Sequence, residues 1–316
     1  MGIQDFSWIK PRDAASFDVL GLGEISIDQV GVAGEIPAAG GKTDLLALTE
    51  QPGGTVATAL LGCQKLGLRA RLHGAIGGDA AGQAALRPLR AAGVDVAGVH
   101  AISDAATRRA LILVDRGTGE RRVFGYRDPR LRAAPGEKLS AESIRRARIL
   151  LTDTSDPETA EWATEIAQEA GTAVILDADR PSPSAERLLE KVHFPVVSEN
   201  FARALAGDGT VEGGLEALES RGAMFAVVTR GDRGALARCA GELLACPAFP
   251  VTVVDTTGAG DAFHAGFIWA LLGGRHTPRD ILRAASAMAA LTCRGPGAQG
   301  GLVDVEELER FLSRFR

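Results

Sequence analysis

The sequence is poor in aromatic residues, in excess positive charge and in long hydrophobic runs, and each shortage excludes a class of protein. Phe, Trp and Tyr make up only 5% of the 316 residues, so the core must be aliphatic, which suits helices packed on a parallel sheet. The formal net charge of −5 argues against a surface that binds nucleic-acid phosphates along its length. No run of about 18 apolar residues is present, so no membrane-spanning helix is predicted.

Cysteine is also scarce. The four cysteines are Cys63, Cys239, Cys246 and Cys293. None forms a C-x-x-C pair, so we expect free thiols in a reducing compartment and no cysteine-held zinc site. The N-terminal stretch lacks the apolar segment of a secretory signal, and we therefore expect a cytoplasmic protein.

The order of apolar and amphipathic segments predicts the fold class. From about residue 140 onward, strand-like and helical segments alternate, which predicts an α/β fold: a doubly wound, mostly parallel sheet flanked by helices. Residues 251–254 are predicted to form a buried strand of this sheet. The strands predicted earlier in the chain, within 29–49 and 108–125, cannot all join the same parallel sheet. We expect a single α/β domain over 17–316, with these stretches forming a small β-sheet lid inserted within it.

The strongest chemical signal is VVDTTGAGDAFHAGF at 253–267. Its glycine-rich turn, Gly258-Ala259-Gly260, opens a helix, and a helix N-terminus offers unpaired N–H groups and the positive end of its dipole. That combination predicts a phosphate-binding cradle. Asp261 at the same mouth is well placed to take a proton from a hydroxyl that attacks the phosphate, although a helix cap is the alternative interpretation.

DTTGAGDAFHAGF resembles the C-terminal signature of the ribokinase-like, or PfkB, carbohydrate kinases, and it matches at every position. PGGTVATALLGCQKLGLRARLHGAIGGDAAG at 52–82 is similar to the N-terminal signature of the same family. The resemblance implies transfer of the γ-phosphate of ATP to a primary hydroxyl of a small sugar, with a ketohexose or a ribose-like sugar leading. A nucleoside, a sugar acid or an anionic sugar as acceptor, or a non-catalytic regulator that binds sugar or nucleotide, are the alternatives.

The resemblance also implies roles for single residues. Asp261 matches the catalytic base, and 258–260 match the anion hole that stabilises the transferring phosphoryl group. Asp28 matches the acidic residue that binds sugar hydroxyls, and Gly53 and Gly54 match the pair whose backbone lies against the sugar.

The resemblance also implies a nucleotide site and a cation site. The positions that match the ATP site are Thr229, Gly231, Ser286 and Gly297. The first two belong to a loop that contacts phosphates, and the last two to the adenine pocket. Asp255 and Thr257 match a loop that in many members holds a monovalent cation such as K⁺ through backbone oxygens, while Mg²⁺ is carried on the ATP phosphates.

The chain departs from the family pattern at two places. Thr58 stands where the family often has Asn, which keeps a hydroxyl but loses the paired donor and acceptor of an amide. The N-x-x-E stretch linked to Mg²⁺ and phosphate reads Ser198-Glu199-Asn200-Phe201, so Glu199 or Asn200 is the expected substitute for the missing glutamate.

The segment 108–148 holds eleven Arg and one Lys against five acidic residues. A solvated basic surface is one interpretation. Recognition of an anionic substrate is the other, because Arg suits phosphate, sulfonate or carboxylate groups. Arg109 and Arg127 are then the first candidates.

Other residues carry weaker signals. GGKT at 40–43 is not a P-loop, because Ile36 stands where that motif needs Gly, but Lys42 either reaches the substrate from the lid or lies on the surface. His264 and the strand-end residues Asp177 and Asp179 are expected near the site or in structural roles. The lid is a candidate surface for a homodimer, and no nucleic-acid or membrane partner is expected.

Overall fold

The computed structural model describes residues 6–118, 120–133, 139–274 and 277–315. Its strands are β1 (Phe17–Leu22), β2 (Ser26–Ala33), β3 (Leu45–Gly53), β4 (Ala70–Gly77), β5 (Asp95–Ile102), β6 (Arg108–Asp115), β7 (Arg121–Tyr126), β8 (Ala147–Asp153), β9 (Ala173–Ala178), β10 (Phe194–Ser198), β11 (Phe225–Thr229), β12 (Ala235–Cys239) and β13 (Glu242–Cys246). Its α-helices are α1 (Thr55–Lys65), α2 (Ala80–Ala92), α3 (Ala141–Arg145), α4 (Pro157–Glu169), α5 (Pro183–Leu189), α6 (Glu199–Leu205), α7 (Val211–Ser220), α8 (Ala259–Leu272), α9 (Pro278–Thr292), α10 (Gly297–Gly300) and α11 (Val305–Ser313).

Nine strands form a large sheet in the order β13-β12-β11-β10-β9-β8-β1-β4-β5. The run from β11 to β5 is parallel, and the β12–β13 hairpin is antiparallel. The strands are aliphatic and buried because helices cover both faces. Helices α1, α2, α8, α9 and α11 pack on one face, and α3 to α7 on the other. The predicted doubly wound, mostly parallel sheet is confirmed.

The early β-like stretches form a separate four-stranded sheet in the order β3-β2-β6-β7. Ser26 pairs with Arg108, and Asp28 pairs with Ala110. Because side chains alternate between the two faces of a strand, Asp28 and Arg108 share one face of this small sheet, and Arg109 lies on the other face. The expectation that these stretches stay outside the main sheet is confirmed.

The prediction of a buried strand at 251–254 is wrong. This segment is irregular, and Val253 and Val254 are 57% and 62% exposed. The β12–β13 hairpin, which the sequence analysis did not predict, takes the edge of the sheet next to β11. The segment instead reaches the end of α9, where the N–H of Val254 donates to the carbonyl of Cys293 at 2.8 Å. Strand β5 was also not predicted.

The four cysteines are free, as predicted. Residues 6–16 are not loose, since Phe6 packs edge-on against Phe194 with ring centroids 5.6 Å apart. In the segments that the structure describes, no helix combines the length and apolarity needed to cross a membrane. The turn predicted at 116–120 includes residue 119, which lies outside the described residues, as does His276.

Candidate active site

Acidic side chains converge at the carboxyl ends of the central parallel strands. Glu24 follows β1, Asp153 ends β8, and Asp177 lies near the end of β9. Asp28 on β2 and Asp261 in the first turn of α8 complete the cluster, and all four other carboxylates act electrostatically on Asp261. Ligands of open α/β sheets bind at this edge, so the topology itself places the cluster at a candidate site.

The mouth of α8 is built to leave backbone N–H groups free. Gly258 precedes the helix with φ of 79°, and a Cβ there would stand 2.4 Å from the carbonyl oxygen of Ala298, so only glycine fits. No side chain caps the helix. Within the described part of the chain, the N–H groups of Gly260 and Asp261 have no acceptor. Together with the helix dipole, these N–H groups make the mouth of α8 a candidate anion-binding site.

Asp255 joins the turn before α8 to the loop after α9. Its Oδ1 accepts from the N–H of Thr257, and its Oδ2 from the N–H of Gly297, both at 2.9 Å. Gly297 has φ of 66°, and the side chain of Gln51 from β3 lies directly against it. The turn, the loop and the small sheet therefore meet at one place, and two predicted cation-loop residues lie beside a predicted adenine-pocket residue.

Asp261 has the electrostatics of a proton acceptor. Burial raises its pKa well above the usual range, and the negative charges of Asp177, Glu24, Asp28 and Asp153 raise it further. Burial also raises the pKa of Asp177 to about 6 and that of Glu24 to about 7, although Arg108 opposes the second shift. A carboxyl whose pKa is raised is a stronger base once it is deprotonated, which suits it to take a proton from a hydroxyl.

His264 lies one turn below Asp261 in α8. Its Nδ1 lies 2.9 Å from the carbonyl oxygen of Gly260, which can only accept, so Nδ1 carries a hydrogen. Its Nε2 lies 3.9 Å from Oδ1 of Asp177. His264 is thus held to the first turn of α8, and its buried Nε2 faces the end of β9 without a hydrogen-bond partner among the described residues.

The predicted acceptor residues also come together. The hydroxyl of Ser26 donates to Asp28 at 3.0 Å. A Cβ on Gly53 would stand 2.3 Å from Oδ2 of Asp28, and one on Gly54, where φ is 97°, would stand 2.4 Å from the carbonyl oxygen of Glu24. Thr58 is buried in α1, and its hydroxyl accepts from the side chain of Gln299 at 3.4 Å.

Three candidates lie away from this cluster. Lys42 is exposed in the connection between β2 and β3. Arg109 pairs with Asp79 at 3.7 Å on the face of the small sheet opposite Asp28. Glu199 is bound by Arg203 and Arg233, and these two guanidinium groups occupy its carboxylate.

The remaining nucleotide-site candidates lie at the β11 side of the sheet. Thr229 ends β11, and Gly231 begins the following turn with φ of 59°. Ser286 is buried in α9 beside Cys246 of β13. These positions line the same edge of the sheet as the mouth of α8, since β11 and β9 are parallel to β10.

Sequence reasoning missed three residues of the site: Glu24, Asp153 and Arg108. The signal for the two acids was available, because each stands at the carboxyl end of a predicted strand. Arg108 pairs with Glu24 at 2.6 Å, and only the pairing of β2 with β6 shows that it faces the site.

Comparison with known proteins agrees with this geometry. The family model described as pfkB family carbohydrate kinase matches residues 17–304. The chain belongs to this family. It is therefore a sugar kinase, a phosphotransferase with an alcohol group as acceptor. Among curated relatives, the ribokinase of Bacillus subtilis is 28% identical over 92% of this chain and 98% of its own length. The ATP-dependent ribose-1-phosphate kinase of Halopiger xanaduensis is 32% identical over 89% and 93%.

Solved structures share the whole fold. A putative ribokinase from Agrobacterium tumefaciens superposes with a TM-score of 0.84 at 30% identity, covering 95% of this chain and 98% of that one. A putative ribokinase II from E. coli, solved in complex with ATP and Mg²⁺, has the same fold at 22% identity. Other curated relatives are named fructokinase and nucleoside kinase.

Proposed function

We propose that this kinase transfers the γ-phosphate of ATP to a primary hydroxyl of a small sugar, with Asp261 as the general base. The observation that carries the proposal is the placement of Asp261 beside the unpaired N–H groups at the mouth of α8. A proton acceptor and an anion site are then adjacent, as phosphoryl transfer requires.

The step is a displacement at phosphorus. Asp261 removes the proton of the acceptor hydroxyl, the hydroxyl oxygen bonds to the γ-phosphorus, and the bond from that phosphorus to the β-phosphate oxygen breaks. ADP leaves, and the proton stays on Asp261 until it passes to solvent. The N–H groups of Gly260 and Asp261, with the dipole of α8, stabilise the charge on the transferring group.

The nucleotide lies, in this proposal, between the mouth of α8 and the end of β11, within reach of Thr229, Gly231, Gly297 and Ser286. Among the residues described, no group of three His, Cys, Asp or Glu side chains is arranged to hold a metal ion, which fits a Mg²⁺ carried mainly by ATP phosphates and water. That Mg²⁺ would neutralise part of the phosphate charge. The backbone oxygens of Asp255 and Thr257 are the proposed K⁺ ligands.

The acceptor lies, in the same proposal, against Asp28, Gly53, Gly54 and Thr58, under the small sheet. That sheet acts as a lid inserted in the single α/β domain. Its closure would exclude water and so limit hydrolysis of ATP. The names of the relatives favour a ribose-like sugar or a ketohexose as the acceptor skeleton.

The test is an ADP-release screen over sugars, nucleosides and sugar acids, run with and without K⁺. We expect acceptor-dependent ADP release that the Asp261→Asn variant loses. Binding of sugar or ATP without ADP release from any acceptor would contradict the proposal and favour a non-catalytic binding protein.

We also propose that a second copy of the chain covers the outer face of the small sheet. Leu48, Leu111, Phe124 and Tyr126 are 40% to 64% exposed, and the strand register places them all on the face opposite Asp28. Sedimentation should show a dimer that the Phe124→Glu variant dissociates at the same concentration, while Val305→Glu, an exposed apolar position on α11, leaves it intact. A wild-type monomer would contradict this proposal.

A further inference from the structure

A pocket lies at the carboxyl ends of β1 and β4, beside the proposed acceptor site. Its polar and apolar lining includes Glu24, Arg108, Arg127, Leu131, Ala133 and Asp156. Glu24 and Arg108 connect the pocket to the active site, because Glu24 acts on Asp261 and Arg108 acts on Asp28 electrostatically. A substrate whose hydroxyl meets Asp261 could therefore extend into this pocket.

Arg108 is held by one contact and leaves its other donors free. Its Nε forms an ion pair with Oε2 of Glu24 at 2.6 Å, although the N–H is not aligned for a hydrogen bond. The terminal nitrogens lie over Gly125 of β7, with Nη2 3.5 Å from where a Cβ would stand. No acceptor for Nη1 or Nη2 is found in the described ranges. The absence of a side chain at Gly125 leaves the terminal fork uncovered.

Arg127 has the same arrangement. Its Nη2 donates to the carbonyl oxygen of Leu131 at 3.0 Å, and the side chain is only partly exposed. Among the residues that the structure describes, no carboxylate lies within ion-pair distance of it. A guanidinium fixed by one bond, with unpaired donors in a pocket, is organised to bind a carboxylate or a phosphate through two parallel hydrogen bonds.

The two acids of the lining do not cancel this arrangement. Glu24 is occupied by Nε of Arg108, and Asp156 is buried with its Oδ2 accepting from the N–H of Ala133 at 2.9 Å. The neighbouring Asp153 accepts from the N–H groups of Glu24 and Ser155 at 2.8 Å each. In the described part of this wall, the side-chain donors left without a partner are those of the two arginines.

We infer that the acceptor of this kinase carries an anionic group, a carboxylate or a phosphate, which Arg108 and Arg127 bind in this pocket while its hydroxyl faces Asp261. The inference rests on the proposed function, whose reaction it does not alter. It also selects between the two interpretations of the arginine-rich segment. Arg127 binds substrate as the sequence suggested, and Arg108 takes the place of Arg109.

The experiment compares matched neutral and anionic acceptors: glucose with gluconate, ribose with ribose 1-phosphate, and fructose with fructose 6-phosphate. We expect the wild-type enzyme to use at least one anionic member with a kcat/KM about 10- to 100-fold above its neutral partner, since hydrogen bonds to charged groups contribute that much. Arg127→Gln should raise KM for that acceptor about 10- to 100-fold, with kcat little changed. Arg127 is the better variant because Arg108→Gln would also unpair Glu24.

Arg310→Gln is the matched control, since Arg310 is exposed on α11 and belongs neither to the pocket lining nor to the small sheet. It should leave both kcat/KM values unchanged, and thermal melting should show that both variants are folded. Turnover of the neutral members alone, equal in wild type and Arg127→Gln, would overturn the inference and leave the proposed function standing. If no acceptor is turned over, the proposed function fails, and calorimetry decides the inference. Binding of an anionic member that Arg127→Gln weakens would support it, and no binding would overturn it.

Discussion

The mouth of α8 and the arginine pocket are built in opposite ways. The mouth is one continuous segment, in which the turn, the free N–H groups and Asp261 lie within a few residues of one another. The pocket takes its lining from the turn after β1, from β4, from β6 and from the segments after β7 and β8. The reacting groups are thus encoded locally, while the groups that would select the acceptor are assembled by the tertiary fold.

This difference divides the groups proposed to react from the groups proposed to select the acceptor. The geometry of a continuous segment depends mainly on its own hydrogen bonds and its helix. A pocket assembled from distant segments changes with one substitution in any of them. The sequence resembles the family signature fully at the mouth and departs from the family pattern at Thr58 and at 198–201, where Phe201 replaces the glutamate.

The largest expected effect is a loss of kcat on substitution at the mouth of α8. Asp261→Asn should lower kcat by about 10²- to 10⁴-fold, because Asp261 is the proposed general base beside the unpaired N–H groups and an amide cannot accept the proton. ADP release and calorimetric ATP binding would measure it, with binding little changed. Asp179→Asn, an exposed aspartate after β9, is the control. A nearly active Asp261→Asn enzyme would remove Asp261 from the mechanism.

The next prediction compares two glycines at the mouth of α8. One has a backbone conformation that requires glycine, and the other lies beside open space. Gly258→Ala should lower the free energy of unfolding by about 1–3 kcal/mol, because φ is positive there and the Cβ would meet Ala298. At Gly260 a Cβ meets no atom within 4 Å. Gly260→Ala should therefore unfold in urea like the wild type, yet lose activity because the methyl group projects into the phosphate site. Equal stability of the two variants would contradict the strained turn.

A smaller effect tests how far a neighbouring carboxylate from another strand raises the pKa of Asp261. Asp177 raises the pKa of Asp261, and Asp261 acts as a base only after losing its proton, so the rate rises with pH through that pKa. Asp177→Asn removes a negative charge and should lower this pKa. The acid limb of kcat/KM should then move toward lower pH, by about one unit. A limb that stays in place would show that the charge of Asp177 does not raise the pKa of Asp261.

The α/β alternation and the glycine-rich turn could be predicted because each depends on residues close in sequence. The run at 251–254 could not be, because a short apolar stretch is compatible with a buried strand and with a segment that crosses the end of a helix. Strands β12 and β13 occupy the sheet edge next to β11, so 251–254 forms no strand there. Arg109 was predicted instead of its neighbour because a one-residue difference in strand register exchanges the two faces.

The sequence by itself determined a mostly parallel α/β fold, a separate small sheet and a phosphate-binding helix mouth with an acidic residue in its first turn. Only the tertiary structure decided that Glu24, Asp153 and Asp177 gather around Asp261 and raise its pKa. It also decided that Arg108 and Arg127 line one pocket beside that site. The physical reason is range: helix termini and glycine turns are defined by hydrogen bonds within a few residues, whereas charge clusters depend on which strand ends the sheet order brings together.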